Sequence, residues 1–148
     1  MPNVEYVTHI DQVLSATSQA LGRAAEIIGG MMETKAKQYV TDEVYATPAG
    51  KYIRTGNLRN SITHDTVETD HDITIAVGST VEYAPYVELG TGIYAEDGQG
   101  RKTPWRYQDS HGNWHTTHGM QPRPFLRPAV MNHIENYKQV LHSELAKP

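Results

Sequence analysis

Apolar or small residues recur at Ile10, Leu14, Thr17, Leu21, Ala24, Ile28 and Met31, alternating four and three apart. That spacing paints one face of an α-helix, and Val13, Ala25 and Met32 widen the stripe. The pattern carries a helix from about Ile10 to Tyr45, well ahead of Pro48-Ala-Gly50. At about 1.5 Å per residue it is roughly 50 Å long, against a diameter of about 30–35 Å for a compact domain of this size. Part of it must project, bend or pack on a neighbouring subunit. Gly29-Gly30 marks either a kink or a place where something large packs closely.

Further along, Thr55 suits a helix N-cap, Gly56 a tight turn into the helix, and Leu58 and Ile62 one face of a short helix flanked by Arg54 and Arg59. Period two then takes over. In Asp72-Ile-Thr-Ile-Ala-Val-Gly78, residues Ile73, Ile75 and Val77 share one face while Thr74 and Ala76 share the other. Ile62 to Glu68 is the natural antiparallel partner, with Thr69-Asp-His-Asp72 as the turn.

Tyr83 to Gly92 reads as a strand end followed by one or two helical turns, with Pro85 in the first turn and Gly90 just past the end. Tyr86 and Leu89, three apart, are expected to anchor it. From Ile93 to His118 the chain is rich in Gly, Thr, His and Trp and poor in aliphatic residues. Thr103 to Gln108 and Asn113 to Thr117 read as a hairpin turned by Asp109-Ser-His-Gly112, with Trp114 opposite Tyr107 and Trp105 diagonal on the same face. So little aliphatic content cannot bury much, so the hairpin is expected to project and find its partner elsewhere. The last element is one helix from Phe125, carried by Leu126, Val130, Ile134, Tyr137 and Leu141, with Pro128 in its first turn.

Composition bounds what this framework can do. The chain has 148 residues, enough for one ordinary domain, and a net charge of −4, which gives no basic footprint for nucleic acid. It has no cysteine, so disulfides and thiolate metal sites are excluded. No stretch reaches the roughly 18 apolar residues of a membrane span. Met1-Pro-Asn-Val-Glu5 lacks the basic and apolar regions of a signal peptide, so intracellular synthesis is expected.

Candidate chemistry is sparse. His111, His115 and His118 invite a zinc site, but in a strand His111 and His115 point one way and His118 the other, with no obvious fourth ligand. Ser61, His64 and Asp65 supply triad residue types as near neighbours whose side chains diverge, and no nucleophile elbow occurs. Gly90-Thr-Gly92 lacks the strand-to-helix context and the following lysine of a phosphate loop. No enzyme, metal or cofactor is expected. A histidine-metal hydrolase and a generic protein-binding module stand as the alternatives.

Three segments stand out instead: Thr55-Gly-Asn-Leu58, Tyr83-Ala-Pro-Tyr-Val-Glu-Leu-Gly-Thr91, and Arg123-Pro-Phe-Leu-Arg-Pro-Ala129. All are turn formers and large apolar anchors. Their order and spacing resemble the head–tail joining, or tail-completion, family of long-tailed bacteriophages, small neck proteins counted among minor capsid components. The resemblance implies an α+β fold, an antiparallel sheet with a long N-terminal and a C-terminal helix packed on it, plus a projecting β-hairpin at 93–118 within a single domain. It implies a virion protein made in the bacterial host cytoplasm and assembled as a homo-oligomeric ring in the neck. Its partners would be other phage neck or tail proteins, with DNA at most passing through the channel and no membrane involved. Thr55, Gly56, Leu58, Tyr83, Tyr86, Glu88, Gly90, Thr91, Pro124, Phe125, Leu126 and Pro128 become the motif and assembly residues. Trp105, Tyr107 and Trp114 become the hairpin's interface.

Overall fold

The structure, a computed structural model, describes residues 10–45, 56–109 and 111–147. The helical stripe becomes α1 (Ile10–Tyr39), which widens into a single π-helical turn over Val40–Val44, closed by the Tyr45 amide on the Val40 carbonyl. A short α2 (Asn57–Asn60) leads into β1 (Ile62–Glu68), which pairs antiparallel with β2 (Ile73–Ser79). Then come α3 (Ala84–Leu89), a 3-10 turn at Gly92–Tyr94, and a second two-stranded sheet of β3 (Trp105–Gln108) and β4 (Trp114–Thr117). The chain closes with α4 (Leu126–Met131) and α5 (Ile134–Leu145). This is the expected α+β class. The Thr55 capping position lies outside the described residues; Gly56 stands at the N-cap of α2 with φ 79°.

Helix α1 is the spine. Ala20, Ala24, Ile28, Met32, Ala36 and Val40 are buried at four-residue intervals. The sheet face carrying Ile62 from β1 and Ile75 and Val77 from β2 packs on that stripe, and Tyr137, Val140 and Leu141 of α5 pack beside it. Every described side chain from Gln12 to Gln19 is exposed, though the Ser18 hydroxyl donates to Glu68 of β1 at 2.7 Å, so the helix overruns the body only ahead of that contact. The alternative of a kink at Gly29-Gly30 is not taken: α1 runs through both. Gly29 instead lies under the His64 ring, where a Cβ would collide with the imidazole, while at Gly30 a Cβ would meet open space.

Two expectations are corrected. The last helix is broken. Asn132 is still helical, but His133 swings to φ −127° before α5 begins. The carbonyl of Ala129, which an unbroken helix would offer to the amide of His133, accepts the Tyr137 hydroxyl. His133 pairs with the Tyr39 hydroxyl of α1 at 3.2 Å. A side-chain bond replaces a ladder bond, and the break lets α4 and α5 each follow α1.

The second correction is the β3–β4 register. Tyr107 pairs with His115 and Gln108 with Trp114, one residue from the expected alignment. Trp114 therefore lies on the face opposite Trp105 and Tyr107. The cause is Asp109. Its amide donates to the Asn113 carbonyl at 2.9 Å, extending the ladder by one pair and leaving a three-residue loop that closes on Gly112 at φ 85°. The Asp109 carboxylate accepts the amides of His111 and Asn113 at 2.9 Å each, and the His115 Nε2 at 2.7 Å. Those bonds, that from His115 first, hold its pKa well below the usual carboxylate range.

Candidate functional site

The three motif segments converge on one place. Leu58 from the first, Ala84 and Val87 from the second, and Phe125 and Ala129 from the third share a core cluster with Ala36, Val40 and Ile62. Phe125 is wholly buried in it, and Leu126 is half-buried against it. The middle and last motifs are also hydrogen-bonded to each other. Glu88, itself buried, accepts the amides of Phe125 at 2.7 Å and of Leu126 and Arg127 at 2.9 Å. Those are amides a helix start leaves unpartnered, and the next position is Pro128, which has none. One carboxylate therefore completes the N-terminus of α4, at the end where helix dipole and negative charge attract. Val87 O adds a bond from the Arg123 amide at 2.8 Å, and Arg127 returns an ion pair to Glu96 at 2.6 Å.

Glycines let the two strands of chain cross beside this junction. Thr91 and Met120 exchange bonds: the Thr91 amide donates to Met120 O at 2.9 Å, and the Met120 amide donates to Thr91 Oγ1 at 2.8 Å. Gly92 passes directly over His118 and Gly119, where any Cβ would strike the His118 carbonyl. Gly90 has φ 79°, and a Cβ there would sit 2.9 Å from Met120 O, Pro122 Cδ and Tyr94 O. The Glu-Leu-Gly-Thr sequence is thus a backbone crossing with a capping acid ahead of it, rather than a ligand cradle.

The sequence misplaces the face of α3. Ala84, Val87 and Glu88 are its buried residues, whereas Tyr86 and Leu89, expected to anchor it, are 59% and 41% exposed. Tyr83, Ile93 and Tyr94 are exposed as well. A cleft of about 520 Å³ runs between Pro85, Tyr86 and Leu89 and the base of the hairpin at Arg101 and Trp105. The hairpin has two unlike faces. Trp105, Tyr107, His115 and Thr117 are half-buried, while Arg106, Gln108, Trp114 and Thr116 are exposed. Arg101 lies over the Trp105 ring at 5.6 Å and Arg106 over the Trp114 ring at 5.1 Å. No residue of β3 or β4 joins either core cluster.

The candidate catalytic sets are dispersed. Ser61 bonds to Leu58 O and to Ser79 Oγ, while His64 turns toward α1. His111 sits in the hairpin loop, His115 in β4 and His118 beyond its end. Among the described residues no group of three or more His, Asp or Glu is arranged to hold a metal ion.

One polar cluster escaped sequence reasoning. The His64 imidazole reaches from β1 across Gly29 and binds Glu33 at 2.7 Å through Nδ1 and Glu26 at 3.3 Å through Nε2. Lys37 holds the other oxygen of Glu33 at 2.7 Å, and Thr66 Oγ1 donates to Glu26 at 2.6 Å. The hydrogen bond to Glu33 above all raises the His64 pKa from its ordinary value. Two glutamates seven apart on α1 with a pair of glycines between them were the available signal.

What these features define is a helix-spined α+β fold whose prominent motifs serve its own packing and which leaves Tyr83, Tyr86, Tyr94 and Trp114 exposed. Residues 9–90 match the HK97-gp10-like family, described as "Bacteriophage HK97-gp10, putative tail-component", and the chain belongs to that family. The match takes in the first motif and all of the second but Thr91, and ends short of the hairpin and the third motif. No curated protein and no solved structure matches the chain.

Proposed function

We propose that this chain is a non-enzymatic virion protein that joins heads to tails or completes the tail, assembling as a ring in the neck of a long-tailed phage or prophage. The family match carries the reading. The geometry supports it in two ways. Residues Gln12 to Thr17 of α1 overrun the body with Val13 and Leu14 exposed, and α3 turns Tyr86 and Leu89 outward. Both are surfaces a subunit completes against neighbours. The motif residues, from Leu58 through Glu88 and Gly90 to Phe125 and Pro128, act in this reading by holding those surfaces in place rather than by touching partners. Trp105, Tyr107 and Trp114 belong to a hairpin that projects from the single domain and docks on assembly. No helix among the described residues is long and apolar enough to cross a membrane.

The test is genetic and direct. A phage or prophage lacking this chain should release filled heads and separate tails that do not join, and supplying the chain in trans should restore joining. Electron microscopy with a tagged chain should place it at the neck, and ultracentrifugation, alone or with neck proteins, should show a ring-sized species. Normal joined particles without the chain would overturn the reading.

A further inference from the structure

Charge is divided along this chain in a way its overall balance hides. Residues 60–97 carry eight Asp and Glu and no Lys or Arg, whereas residues 98–127 carry Arg101, Lys102, Arg106, Arg123 and Arg127 against the one acid Asp109. Arg127 pairs with Glu96 across the two regions, but the acids of the β1–β2 turn and the bases of the hairpin stand on different features. At the overrunning end of α1, a groove of about 390 Å³ has an apolar floor that includes Leu14, Leu21, Ile28, Ile75 and Leu141. Its rim is the β1–β2 turn, with Glu68, Asp70 and Asp72, and no Lys or Arg lines it. No residue of the hairpin lines it either. The hairpin supplies the converse: Trp114, 59% exposed, with the Arg106 guanidinium over its ring, and Arg101 and Lys102 just before β3.

We infer that the acid-rimmed groove receives the exposed Trp114–Arg106 face of the β3–β4 hairpin from a second copy of this chain. An apolar floor takes the indole, and the carboxylates meet the Arg106 guanidinium that lies over it. Donor and acceptor surfaces are different parts of the subunit, so the contact is head-to-tail, and repetition about an axis closes a ring. The inference rests on the ring reading above and names the interface that reading leaves open. Because the rim charges are solvated, association weakens as salt rises.

Charge exchange tests it on the full-length protein. One variant carries Glu68→Lys with Asp70→Lys, another Arg106→Glu; circular dichroism first checks that each is folded. Each alone should associate at least about tenfold more weakly than the parent in sedimentation, since like charges then face each other. An equimolar mixture should regain association, because every contact in an alternating ring is again of opposite charge. A second measurement uses the absence of cysteine. Thr17→Cys and Thr116→Cys proteins, mixed under mild oxidant, should form the mixed disulfide in preference to either homodimer. Parent-like association of either charge variant, a mixture no better than its parts, or no preferred mixed disulfide would overturn the interface. If those fail while the chain still restores head–tail joining, only the interface falls. If joining never needed the chain, the functional reading falls whatever the cross-linking shows.

Discussion

Glu88 and Phe125, thirty-seven residues apart, are joined by a 2.7 Å bond from the Phe125 amide to the buried Glu88 carboxylate. The same carboxylate takes the next two amides, so the second and third motifs are two halves of one device. Bonds to a charged acceptor contribute about 1.5–3 kcal/mol each, and a buried amide left without one costs about 1–3 kcal/mol. Glu88→Ala should therefore cost the fold at least about 3 kcal/mol, read as a lowered urea midpoint with unchanged slope. Glu88→Gln keeps an acceptor oxygen and should lose roughly half as much. Equal stability of Glu88→Ala and the parent would show that α4 is capped in another way.

The adjacent glycines of α1 should respond in opposite senses. At Gly30 a Cβ meets nothing, so Gly30→Ala should gain about 0.5–1 kcal/mol from helix propensity alone. At Gly29 a Cβ collides with a His64 ring that two glutamates hold. Gly29→Ala must expel that ring and should be destabilising despite the same propensity gain. Thermal melts of the two single variants decide it, and a stabilised Gly29→Ala would mean that the ring moves aside freely.

Much of this was legible in the sequence. The α1 stripe, the β1–β2 pairing and the α+β class follow from periods of 3.6 and 2 that long elements make unmistakable. Short elements carry no such redundancy. In six-residue α3 the aromatic Tyr86 and Leu89 looked like anchors, but the buried positions went to Ala84 and Val87, small enough to sit against α1, and to a glutamate whose partners lie far along the chain. The hairpin slipped by one residue because a side chain, Asp109, set the loop. The break at His133 has neither proline nor glycine to announce it; a tyrosine one turn later causes it. Side-chain hydrogen bonds decided each difference, and hydrophobic spacing along a chain does not encode them.

That break gives its own test. Tyr137→Phe removes a buried hydroxyl bound to the Ala129 carbonyl. The loss should be about 1–2 kcal/mol, a net hydrogen bond plus part of the cost of an unsatisfied carbonyl. Amide exchange should locate the effect at the α4–α5 joint: the His133 amide should become more protected if the freed carbonyl recruits it. Unchanged exchange together with unchanged stability would remove Tyr137 as the cause of the break.

The His64 clasp makes stability depend on pH in a direction that can be worked out. The folded pKa of His64 lies above its ordinary 6.5, chiefly through Glu33, then Glu26. Its contribution is therefore complete below 6.5 and is lost as pH rises through the raised folded value. Glu33, held by Lys37 and then His64, and Glu26, held by Thr66 and then His64, both lie below the ordinary 4.5. Their contributions are complete above 4.5 and are lost as pH falls through the lowered values. The clasp between α1 and β1 is accordingly strongest between 4.5 and 6.5. Relative to His64→Gln, the parent should be most stabilised between pH 4.5 and 6.5 and lose that advantage as pH rises above the ordinary histidine range. Urea midpoints of the two proteins across that range measure the difference directly and cancel the contribution of the other histidines. A gap between them that stays constant with pH would mean that His64 packs on Gly29 without charging against Glu33.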